Sequence, residues 1–185
     1  MRIIAGKHRS VTLAAVGKGD AAAHLRPTTD RVRESLFNVL TQYDRFDGAR
    51  VLDLFAGTGA LGLEALSRGA EHVTFVDQGR VSQRILRENI TKLRAADCTQ
   101  VITRDARRMP PCADQPCSLV FLDPPYGKNL GAAALASAES GGWIAEDALI
   151  VWEEDSVMAQ PSGYECADTR QYGDTFVTLL LKTRG

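Results

Sequence analysis

The segment VLDLFAGTGALG, Val51 to Gly62, decides how the rest of the chain is read. Its first residues are apolar and suit a buried strand. Its end is a glycine cluster that opens directly into the helix-forming run LGLEALSRGA, which Gly69 stops. Strand, glycine turn and helix therefore follow one another without a gap. The glycines are spaced Gly57-x-Gly59-x-x-Gly62, the pattern that lets backbone approach a dinucleotide or related ligand at a helix N-terminus. The next β-forming run, HVTFVDQ, ends at Asp77, 20 positions after Gly57. An acid at that place can accept hydrogen bonds from ribose hydroxyls. The pattern indicates an adenosine-containing ligand.

Working outward, strands and helices alternate. The spacing predicts a helix in RPTTDRVRESLFNVL, capped by Thr29 or Asp30, with Val32, Leu36, Val39, Leu40 and Tyr43 as its apolar stripe. It predicts an amphipathic helix over 80–96, strands in TQVITRDA and CSLVFLDPPY, a helix in LGAAALASAES and a strand in ALIVWEED. Two last strands flank a turn at Gly173-Asp174. This order implies an α/β fold: a mostly parallel, doubly wound sheet with helices on both faces and a terminal antiparallel hairpin.

Two acids separate the candidate ligands. Asp53 lies just ahead of the glycine turn, where a carboxylate repels a pyrophosphate but favours the ammonium and sulfonium of S-adenosylmethionine. A turn or capping acid is the plainer account of the same residue. Asp105, after the third strand, can accept from an adenine amino group or cap a helix. The second decisive stretch is LVFLDPPY, ending in Asp123, Pro124, Pro125 and Tyr126. Prolines fix φ and lack N–H groups, so a rigid frame presents free carbonyls at the end of a strand. The Asp123 carboxylate and Pro124 carbonyl can hold the two hydrogens of an exocyclic amino group and aim its lone pair. Asp123 also favours positive charge developing on that nitrogen, and Tyr126 can stack on the base. In an open α/β sheet this segment faces the glycine turn.

The bulk numbers set limits. The chain has 185 residues, 44% of them hydrophobic, enough for one full core, and a net charge of −1. Residues 1–33 nevertheless carry a local surplus of +5, so an RNA-gripping arm and a solvated arm both fit. The four cysteines show no C-x-x-C spacing, so no metal site is expected, and reduced thiols fit a cytoplasmic protein. No apolar run is long enough to cross a bilayer.

RPTTDRVRESLFNVL, VLDLFAGTGALGLEALSRGA and LVFLDPPY, with RIIAGKHR and GWIAEDALIVWEE, together resemble the RsmD-type 16S ribosomal RNA (guanine-N2)-methyltransferases over nearly the whole chain. DPPY alone is shared with adenine-N6 methyltransferases; RPTTDRVRE is narrower. The resemblance implies a class I methyltransferase domain at 26–185, with a seven-stranded sheet, and a small basic β extension at 1–25. It implies S-adenosylmethionine held by Asp53, Gly57, Gly59 and Asp77, to which Phe55 and Asp105 are added here as candidates, and catalysis at Asp123 to Tyr126. It implies a monomer acting on a guanine amino group of 16S rRNA in the small subunit or its assembly intermediate. Lys7, Arg9, Arg26 and Arg31 are the expected nucleic-acid contacts, although Arg26 and Arg31 also fit a surface-charged helix start. The chain departs from the family where SVTL follows the HR of the arm and where Gln78-Gly79 follows Asp77.

Three other readings compete. A DNA or RNA adenine-N6 methyltransferase shares DPPY, but no separate DNA-recognition domain is visible. An NAD-dependent oxidoreductase leaves Asp53 and DPPY without a task. A non-catalytic RNA-binding assembly factor has no use for an amino-group clamp.

Overall fold

The structure, a computed structural model, describes residues 1–15, 30–126 and 129–184. Seven strands among the described residues form one sheet: β1 (Arg50–Leu54), β2 (His72–Val76), β3 (Thr99–Ile102), β4 (Cys117–Leu122), β5 (Ile144–Glu154), β6 (Tyr164–Tyr172) and β7 (Thr175–Lys182). The strand order is β3-β2-β1-β4-β5-β7-β6. The first five strands pair in parallel, and β7 pairs antiparallel with both β5 and β6. From β1 the chain winds outward to β3 and then crosses back to β4. That reversal opens a crevice beyond the carboxyl ends of β1 and β4, where such sheets bind ligands.

Alternation along each strand builds two cores. Val51, Leu119, Phe121 and Val151 face helices α1 (Asp30–Thr41), α2 (Ala60–Ser67) and α3 (Arg80–Lys92). Leu52, Leu54, Val120, Leu122 and Trp152 face α4 (Leu130–Ser140) and the 3-10 turn Ala106–Arg108. The helices therefore lie on both faces, as the alternation predicts. Expected and observed elements differ mainly in their ends: α3 stops at Lys92, and a separate 3-10 turn covers Ala96–Cys98.

The stripe of α1 is a more informative difference. Its buried residues are Arg33, Leu36, Phe37, Val39 and Leu40, whereas Val32 and Tyr43 are only partly buried. Phe37 stacks on Phe46 at 5.5 Å between ring centres and meets Phe121 at 5.7 Å. Arg33 can occupy an apolar seam because its guanidinium donates to Asp30 Oδ1 at 3.1 Å and to the Arg2 carbonyl. Asp30 lies inside the helix and serves as that partner; Thr29 is outside the described residues.

Within residues 1–15 the N-terminal arm folds back on itself as a short antiparallel pair: Arg2 bridges Thr12, the Ile3 N–H donates to the Val11 carbonyl at 3.0 Å and the Leu13 N–H to the Met1 carbonyl at 3.1 Å. Gly6 and Ser10 take positive φ, 81° and 70°, which breaks an extended ladder. Several other arm N–H groups bond to side chains of α2. Ile4 and Ala5 donate to the Glu64 carboxylate at 2.7 and 3.0 Å, and His8 donates to Ser67 Oγ at 2.9 Å. Ile3 and Leu13 are buried in the α1–α2 core.

Candidate active site

β1 delivers Asp53 to the crevice with its side chain only 1% exposed. One oxygen accepts the Gly62 N–H at 3.0 Å. Gly62 is glycine because a Cβ there would meet Phe75 at 2.5 Å and Val73 at 2.7 Å, so α2 lies hard against β2. Burial raises the Asp53 carboxyl to about 7, against the Gly62 hydrogen bond and with help from nearby Asp77. Asp53 thus braces the helix start, and its burial beside the turn makes its charged form costly.

The turn itself is strained and close-packed. Phe55 adopts φ 62°, an unfavourable conformation for a residue with a side chain. Gly59 has φ 79°, and a Cβ there would lie 2.4 Å from Leu86 of α3. Asp77, at the end of β2, accepts the Gly57 N–H at 2.9 Å and the Gly79 N–H at 2.7 Å. It ties the first glycine turn to the start of α3, while burial pushes its carboxyl upward. Asp105 stands apart from this arrangement. It caps the turn Ala106–Arg108 through the Arg107 N–H at 3.0 Å and grips the Arg107 guanidinium at 2.6 Å, which holds its carboxyl low.

On the other side of the crevice, the Asp123 N–H donates to the Leu54 carbonyl at 3.4 Å, extending the β1–β4 pairing past the strand end. Pro124 is buried and Pro125 exposed. Because Leu122 pairs with Trp152, the next residues, Asp123 and Glu153, sit side by side on adjacent strands. Glu153 and Glu154 are both buried. Burial, then the negative charges of Glu153, Asp53 and Glu154, push the Asp123 carboxyl well above its ordinary range. The Tyr126 hydroxyl donates to Glu153 Oε1 at 2.9 Å and lies 3.0 Å from Thr175 Oγ1. Burial of the Tyr126 phenol, more than any other effect, raises its pKa.

The structure thus brings Asp53, Phe55, Gly57, Gly59, Asp77 and Asp123 to one crevice, with Tyr126 beside Glu153. Neither Glu153 nor Thr175 was singled out from sequence. The signal for Glu153 was available: ALIVW ends in two acids, as LVFL ends in Asp123. Lys7 and Arg9 are exposed, and the Lys7 N–H bonds to the carbonyl of Ser67, at the end of α2 far from the glycine turn. Arg31 is exposed on α1 and shares a cleft of about 370 Å³ with Arg2 and Arg9, lined also by Asp30 and Glu34. Arg26 lies outside the described residues. Among the described residues, no group of three His, Cys, Asp or Glu suits a metal ion, and no helix is long and apolar enough to cross a membrane.

Comparison with known proteins adds to this geometry. Ribosomal RNA small subunit methyltransferase D of Escherichia coli K12 is 39% identical over 162 residues, covering 88% of this chain and 78% of its own length. Its namesake from Haemophilus influenzae is 36% identical over 171 residues, covering 89% and 84%. The solved structure of the Escherichia coli methyltransferase candidate yhhF superposes with a TM-score of 0.84 at 34% identity, covering 100% of this chain and 99% of that one. The sheet order and these neighbours identify a class I methyltransferase fold. The family described as conserved hypothetical protein 95 matches residues 1–181, and the chain belongs to it, the RsmD-type methyltransferases.

Proposed function

We propose that this enzyme transfers a methyl group from S-adenosylmethionine to the N2 amino group of a guanine in 16S ribosomal RNA, within the small subunit or its assembly intermediate. The observation that carries the reading is the row of acids across β1, β4 and β5 beside a glycine turn. The negative charges of Glu153, Asp53 and Glu154 raise the cost of charge on Asp123, and that of Asp77 does so on Asp53. Such a site fits a cationic ligand and disfavours a phosphate. S-adenosylmethionine, when bound, supplies an electrophilic methyl group on a positively charged sulfur. Asp53, Phe55, Gly57, Gly59 and Asp77 are the residues that would hold it. Asp77 has the plainest way to do so, since its carboxylate already orders the turn around the adenosine position. Asp105 would contribute an adenine contact only by sharing its grip on Arg107.

The chain's own work is positioning. The Asp123 carboxylate and the Pro124 carbonyl accept the two amino hydrogens, which turns the nitrogen lone pair toward the methyl group. With the methyl's bond to sulfur breaking as the N–C bond forms and S-adenosylhomocysteine as the leaving group, positive charge would grow on nitrogen, and the Asp123 carboxylate would offset it. The nitrogen then loses one proton, to Asp123 or to water. Tyr126, fixed through its hydroxyl, offers a ring face to the base. Residues 1–25 form the substrate-side extension in this reading, with Lys7, Arg9 and Arg31 as phosphate contacts.

Tritiated-methyl transfer to 16S rRNA from a strain lacking the modification, followed by nucleoside analysis, tests the proposal. The expected product is N2-methylguanosine. Label in N6-methyladenosine would favour the adenine reading, and no transfer to any RNA would overturn the enzyme assignment for this substrate.

A further inference from the structure

We propose that Asn89 is a positioning residue that couples the N-terminal arm to the cofactor turn, so that RNA on the arm and methyl donor in the turn influence each other's binding. This rests on the function proposed above. Asn89 lies on α3, is fully buried and has an amide engaged by two distant segments. Its Oδ1 accepts the Ala14 N–H at 2.7 Å, and its Nδ2 donates to the Ala14 carbonyl at 3.2 Å. The same Nδ2 donates to the carbonyl of Thr58 at 2.9 Å. Thr58 is the residue between Gly57 and Gly59.

The geometry makes this amide more than a filler. Ala14 uses both its donor and its acceptor on Asn89, which fixes which end of the amide is oxygen and sets the amide plane. The direction of the second Nδ2 hydrogen follows from that plane. That hydrogen is the one that holds Thr58. A displacement of Ala14 therefore turns the amide and withdraws a donor from the glycine turn. The Thr58 carbonyl then loses a partner in a partly buried turn, which is costly. The turn has little slack to absorb such a change. Leu86, one helical turn before Asn89, occupies the space where a Gly59 Cβ would be. The Gly57 N–H is held by Asp77, and the Gly59 N–H by the Ala56 carbonyl at 2.7 Å. Linkage is reciprocal, so whatever fixes Thr58 also fixes Ala14.

The experiment measures S-adenosylhomocysteine affinity by calorimetry on the full chain, with and without saturating unmodified 16S rRNA. Wild type, Asn89→Leu and Asn89→Asp are compared. Wild type should bind S-adenosylhomocysteine about fivefold or more tightly with RNA present, an ordinary coupling strength. Asn89→Leu should bring that ratio to within about twofold of one, whatever it does to the thermal midpoint. If the leucine variant does not fold, Asn89→Asp, which keeps the acceptor for Ala14 but loses the donors, should lose the ratio in the same way. A wild-type ratio of one, or a folded variant with the wild-type ratio, would overturn the coupling. Failure of wild type to methylate the RNA would instead strike the proposed function and leave a distinct result.

Discussion

Two buried acidic regions of the molecule are treated in opposite ways. At the arm, Glu64 is 0% exposed, yet its carboxylate accepts the N–H groups of Ile4 and Ala5 and the Arg68 Nε at 2.8 Å. Three donors meet one charge. At the crevice, Asp123 is pressed upward by burial and by Glu153, Asp53 and Glu154, and Asp53 has a single backbone N–H. The first region spends its charge on holding the fold together. The second crowds acids together where charge on each is costly. Burial alone therefore does not set how an acid behaves; the donors and like charges around it do.

The largest expected effect tests the structural side. Glu64→Ala leaves two arm N–H groups and Arg68 without their partner, and should destabilise the protein by about 3–5 kcal/mol, as breaking a buried pair does. Chemical denaturation checks this; a loss below about 1 kcal/mol would mean that the arm is not tied through Glu64.

Asp123→Ala should do the reverse. The thermal midpoint should stay level or rise, because a crowded charge is removed. Single-turnover methyl transfer should slow by two or more orders of magnitude, about 3 kcal/mol in the barrier. Asp123→Asn should be milder, since an amide oxygen still accepts a hydrogen bond. Rates within about threefold of wild type for the alanine variant would show that Asp123 is not the clamp.

The comparison also has a pH signature. Because folding raises the Asp53 carboxyl from 3.8 to about 7, its protonated form favours the folded state. That stability contribution is full below about pH 4 and is lost as pH rises through about 7 in the ligand-free protein. A cationic cofactor favours the ionised acid, so its binding should release a fraction of a proton near pH 6. Calorimetry of S-adenosylmethionine binding in buffers of different ionisation enthalpy reads this directly. Proton uptake, or no exchange at all, would remove Asp53 from contact with the ligand's charge.

The smallest effect belongs to the arm's surface. Replacing Lys7 and Arg9 with alanine should make the slope of log K against log salt shallower by up to about 1.4 to 1.8 units if each contacts a phosphate. S-adenosylhomocysteine affinity without RNA should be unchanged. An unchanged slope would move RNA recognition to the α1 side, toward Arg31.

Much of the molecule was legible in advance because it is local. Glycine spacing, apolar alternation and Pro-Pro stiffness are properties of neighbouring residues, and they located the strands, the turn at Gly57–Gly62 and the segment Asp123–Tyr126. The terminal hairpin around Gly173-Asp174 followed from the same turn chemistry. Sequence by itself also placed Asp77 and Asp123 at strand ends and Asp53 just ahead of the glycine turn, and strand ends meet at one edge of a parallel sheet. What only the tertiary structure decided is which groups share a burial site. Arg33, Glu64 and Asn89 read as ordinary helix residues, and they become structural because segments 31, 59 and 75 positions away supply their partners. The arm is anchored for the same reason: Glu64 and Ser67 offer the N–H groups of Ile4, Ala5 and His8 acceptors that no pattern within residues 1–15 could reveal. Glu153 became part of the site only when β5 paired in register with β4. Hydrogen bonds and charge interactions act over a few ångströms, and folding, not chain order, sets which residues come that close.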